Sequence, residues 1–62
     1  MKFQVGQLIK CRRKPHVRAL ILKAGWIKND VSVRHYEVLD LRLLEVFIIT
    51  EWFIDDDYHL CE

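Results

Sequence analysis

"HVRALILKAGW", residues 16–26, admits two readings, and the choice between them decides the fold. As a helix it has Pro15 in its first turn and Gly25 just past its end, with Val17, Leu20, Ile21 and Ala24 on one face. As a strand, Leu20-Ile21-Leu22 is a short apolar run buried on both sides. The chain beyond this segment reads as β structure, and this favours the strand. "GWIKND" (25–30) then reads as a loop, with Gly25, Asn29 and Asp30 as turn formers.

Downstream, "VSVRHYEVLD" (31–40) and "EVFIITEWF" (45–53) are rich in β-branched and aromatic residues. In the second, Glu45, Phe47, Ile49 and Glu51 alternate with Val46, Ile48, Thr50 and Trp52. The link between the two runs is short, so they are expected to form an antiparallel hairpin. Upstream, "VGQLIKC" (5–11) places Leu8 and Lys10 on one side and Gln7, Ile9 and Cys11 on the other. "RRKPH" breaks that strand, since Pro15 donates nothing to a sheet ladder. "YHLCE" (58–62) is a short terminal strand. Five short strands fit a small all-β barrel.

Two stretches resemble small SH3-like β-barrel proteins. "FQVGQLIKCRR" is similar to their opening, where a Val-Gly-x-Leu/Ile-x pattern leads into the first strand. "EWFIDDDYHLCE" resembles their close: a tryptophan-bearing strand, a one-turn 3-10 segment, then a last strand that pairs back with the first. Many small proteins of tailed bacteriophages share this layout, as do, more distantly, KOW-type modules. The resemblance implies a single domain over residues 1–62, a five-stranded SH3-like barrel with a 3-10 turn before the last strand. Ala19 stands where the second strand of such proteins usually has glycine. The hairpin tip has Leu41, Arg42, Leu43 and Leu44 in place of Gly, Asn or Asp.

At 62 residues with 52% hydrophobic content, the chain is too apolar for disorder. It buries only about 60% of its unfolded surface, so a partner or staple would help it. No apolar run approaches the ~18 residues of a membrane span, and "MKFQVGQLIK" lacks the pattern of a signal peptide. The expected location is the host cytoplasm or a virion, without secretion. Net charge is +1, unevenly spread. Residues 1–34 carry nine basic residues against Asp30, a net of +8; residues 35–62 carry Arg42 against eight acids, a net of −7. Either the two halves pair across strands, or the basic half faces an anionic partner.

Asp55, Asp56 and Asp57 suit a tight turn, because carboxylates accept bonds from nearby backbone N–H groups. Three adjacent carboxylates diverge, unlike the spaced ligands of a calcium loop. Cys11, His16, His59 and Cys61 lack structural-zinc spacing, and a Cys11–Cys61 disulfide requires neighbouring terminal strands. No phosphate loop, nucleophile elbow or HExxH is present. The expectation is a non-enzymatic interaction or structural module, of virion or host-interacting type, with no cofactor, metal or small-molecule substrate. Its partner is another protein or a second copy, contacted through Leu41, Arg42, Leu43, Leu44 and Trp26. The alternative is a nucleic-acid-binding barrel using Lys10, Arg12, Arg13, Lys14 and Arg18, with Trp26 as a stacking platform.

Overall fold

The computed structural model describes residues 3–27 and 33–61, apart from the side chains of Trp26 and Ile27. The 16–26 segment is a strand. Lys14-Pro15-His16-Val17 is a β-turn closed by the Val17 N–H on the Lys14 carbonyl at 2.8 Å. Pro15 therefore occupies the second turn position, where its fixed φ is an asset. The chain then runs as β2 (Arg18–Ile27) between β1 (Leu8–Cys11) and β3 (Arg34–Asp40). Ala19 and Ile21 are buried on one face, and Leu20 lies half-buried on the other.

The remaining elements are β4 (Glu45–Thr50), α1 (Glu51–Asp57) and β5 (Tyr58–Leu60). All neighbours are antiparallel, in the order β4-β3-β2-β1-β5. The expected β3–β4 hairpin is present, with Asp40 opposite Glu45. The last strand lies against the first, Ile9 opposite Leu60. The expected barrel is not formed: the five strands make an open sheet whose two edges are β4 and β5.

Besides the open sheet, three expectations need correction. Gly25 and Trp26 do not leave the sheet. The β2–β3 register slips at Leu22 and again at Gly25, which has φ +71°. An extra residue at each slip makes a bulge, and a left-handed glycine is a usual occupant. The bulges let β2 bend and carry pairing on to Ile27; Lys28–Asp30 lie outside the described residues. Second, β4 ends at Thr50, so Trp52 and Phe53 belong to α1 and not to a strand. Third, the segment before β5 is α-helical, not a 3-10 turn. Glu51 in the first turn suits the positive end of the helix dipole. The helix closes with the Tyr58 N–H on the Ile54 carbonyl. Its length lets Ile54, fully buried, plug the core while the chain crosses from one sheet edge to the other.

The core comprises Phe3, Ile9, Ala19, Ile21, Tyr36, Val38 and Ile54. Each fully buried large side chain contributes roughly 1.5–3 kcal/mol. Phe3 meets Tyr36 edge to face, with centroids 6.1 Å apart and planes at 70°. Phe3 is held there by the turn Gln4–Gln7. Its third position, Gly6, has φ +89°, and the Gln7 N–H reaches the Gln4 carbonyl at 3.1 Å. A type II turn needs positive φ at that position, which explains glycine in the Val-Gly pattern.

Candidate functional site

The hairpin tip is built around Asp40, a buried carboxylate. Its Oδ1 accepts the N–H groups of Arg42 at 2.9 Å and Leu43 at 3.0 Å. Its backbone carbonyl accepts the N–H of Leu44 at 2.7 Å. One aspartate thus receives three successive amides and folds the chain into a four-residue loop. The geometry forces Leu44 to φ +56°, a left-handed conformation costing a non-glycine residue roughly 1–2 kcal/mol. Leu41, Leu43 and Leu44 all point outward, Leu44 being 73% exposed. Arg42 is exposed among them.

The exposed apolar surface continues into β4. Every residue from Leu41 to Ile48 is exposed, and six of these eight are Leu, Val, Phe or Ile. Val46 and Phe47 belong to opposite faces of the sheet, since they pair with Leu39 and with the core residue Val38. Both are exposed because β4 is an edge with nothing outside it. Trp52 and Phe53 extend the apolar surface onto α1, with Trp52 62% exposed. On the face away from the core, Leu8, Leu20, Leu39 and Val46 form one rank across four strands. Val46, Phe47, Ile48 and Phe53 are surface residues that sequence reasoning misses, since apolar residues on both faces of a strand suit a buried position as well as an edge. The available signal was "VFII" itself, apolar at consecutive positions with no charge between Glu45 and Glu51.

The other candidate residues fall elsewhere. Arg12, Arg13 and Lys14 are exposed in the β1–β2 connection. Arg18, Lys10 and His59 are in register across β2, β1 and β5, on the outer face. The loop rests on the acidic end of α1. The Arg12 N–H donates to the Asp57 carbonyl at 2.7 Å, and the Arg13 guanidinium lies 3.9 Å from the Asp57 carboxylate. The aspartates therefore close a helix, and one of them meets the basic half of the chain. Trp26 has its backbone opposite His35, and its side chain lies outside the described residues.

Cys11 and Cys61 are both free. Cys11 faces Tyr58 on the core side of β1, whereas Cys61 donates its N–H to the Leu8 carbonyl. Three strand positions separate them, about 10 Å, and they lie on opposite faces, so a disulfide cannot bridge them. Cys61 is thus too far from Cys11 to share a zinc ion with it, and His59, opposite Lys10, projects from the other face of the sheet than Cys11. Among the described residues, no group of three or more His, Cys, Asp or Glu side chains converges on a metal position. Burial pushes the Tyr36 phenol above its ordinary value of 10.0; the Phe3 N–H opposes this, and Asp55 and Glu51 add to it. Burial likewise raises Tyr58, with Cys11 opposite it the next contributor.

Comparison with known proteins found no matching family, no matching curated protein and no matching solved structure.

Proposed function

We propose that this chain is a non-enzymatic protein-interaction module that docks through the β3–β4 tip and the β4 edge. One observation carries the reading: the unbroken exposure of Leu41–Ile48, where six of eight side chains are apolar. Patches of this kind mark contact surfaces. Burying one fully exposed leucine on a partner yields roughly 1.5–3 kcal/mol. The pairing of β5 with β1 and the type II turn at Gly6 agree with the two stretches that carry the resemblance to SH3-like proteins, and a virion or host-interacting role rests on that resemblance alone. The test is affinity capture with the native chain and with the Leu43→Asn/Leu44→Gly variant, read by mass spectrometry. A partner kept by the native chain and lost by the variant supports the reading. Identical captures from a native chain that also stays monomeric in solution overturn it.

A second reading is nucleic-acid binding through Arg18, Lys10 and the Arg12–Lys14 loop. The register of Arg18, Lys10 and His59 on one face favours it. The proximity of Arg13 to Asp57 counts against it, because the carboxylate weakens the local positive field. Electrophoretic titration with DNA and RNA across a salt series separates the two readings.

A further inference from the structure

We infer that the partner of the β4 edge is a second copy of this chain, joined β4 to β4 in antiparallel fashion about a twofold axis. The inference rests on the interaction-module reading and specifies its partner. Strand β4 has one neighbour, β3, so its outward N–H and C=O groups make no backbone bond among the described residues. Edge strands that stay monomeric are usually guarded by lysine, proline, a bulge or an inward charge. Between Glu45 and Glu51 this edge has none of these, and its register with β3 is unbroken.

The strand is also self-complementary. A twofold axis perpendicular to the sheet keeps inner face with inner face, so paired positions must share parity. Centred on Phe47, it sets Phe47 beside Phe47 of the second copy, Val46 beside Ile48, and Glu45 beside Ile49. No like charges meet. Phe47 already continues the core row Ile21–Val38, so the twin phenylalanines extend that core across the axis. The exposed apolar surface on offer is also of the right order. Eight large apolar side chains between Leu41 and Phe53 are 40–73% exposed. They amount to on the order of 800 Å², the share one partner brings to a standard interface.

Sedimentation equilibrium across a concentration series is the first measurement. The native chain should reach dimer mass, and Ile48→Lys and Val46→Lys should each weaken dimerisation at least tenfold. Both positions are exposed, so their circular dichroism should match the native spectrum. In Phe47→Cys, mild oxidation should give a 47–47 cross-link between chains, identified by peptide mapping that distinguishes Cys11 and Cys61. Antiparallel partners stand within disulfide reach there. A native chain that stays monomeric to ~1 mM overturns the inference, as does a dimer insensitive to both lysines or lacking the 47–47 link. If the monomeric chain still captures a protein that Leu43→Asn/Leu44→Gly loses, the dimer fails and the interaction module stands. If that capture is also unaffected by the variant, both fail.

Discussion

The backbone N–H of Arg12 and the carbonyl of Asp57 are bonded at 2.7 Å, tying the most basic loop to the most acidic helix end. The last turn of α1 holds no basic residue, so its free carbonyls and three aspartates concentrate negative potential. A main-chain donor from the neighbouring loop satisfies one of those carbonyls. The contact belongs to the peptide group and not to the arginine side chain. Arg12→Ala should therefore leave the melting temperature nearly unchanged. Arg12→Pro, which removes the N–H, should destabilise by roughly 1–3 kcal/mol in urea unfolding.

At the hairpin tip, two substitutions should act in opposite directions. Asp40→Ala leaves the Arg42 and Leu43 amides without their acceptor and should cost roughly 1.5–3 kcal/mol, as for bonds to a charged group. Leu44→Gly removes the penalty of positive φ at some gain in unfolded-chain freedom, a net stabilisation of about 0.5–1 kcal/mol. Chemical denaturation of the two variants beside the native chain checks both signs.

Alkaline stability reports on Tyr36 and Tyr58. Their folded pKa values lie above the unfolded value of 10.0. Below that value both states are protonated, and stability is independent of these groups. Above it the unfolded chain loses protons first, so stability falls until pH passes the folded values. Tyr36→Phe should flatten this decline while costing roughly 0.5–1.5 kcal/mol at neutral pH, because its hydroxyl accepts the Phe3 N–H at 3.4 Å. Thermal unfolding between pH 7 and about 11 separates the two effects.

If nucleic acid binds, the Arg12→Ala/Arg13→Ala/Lys14→Ala variant should bind more weakly and with a flatter salt dependence. Each lost phosphate contact lowers the slope of log K against log salt by roughly 0.9 on duplex DNA. An unchanged slope, measured by fluorescence anisotropy, would show that this loop does not touch phosphate.

The strands were legible where local pattern and tertiary pairing agree. Ile9, Ala19 and Ile21 alternate as a half-buried sheet demands, and Gly6 marks a turn that needs positive φ. The bulges at Leu22 and Gly25 were hidden because glycine marks a loop as readily as a bulge. The helical state of Glu51–Asp57 was hidden because alternation in "EVFIITEWF" persists to Trp52, while only the need to bring Ile54 over the core turns the chain. The leucines at the tip stood out by violating turn chemistry. The β4 surface did not, since apolar residues on both faces suit a central strand as well as an uncovered edge, and only the strand order distinguishes these.

Pairing Ile9 with Leu60 also sets an order of folding. The β2–β3–β4 meander is local in sequence and can form first. The first strand gains its outer neighbour only when the two ends of the domain meet, a closure whose entropic cost grows with the length of the loop. Until then the folding chain carries two open edges, β1 and β4. Mutations that delay the arrival of β5 should therefore raise the insoluble fraction during expression more than they lower the stability of the finished protein.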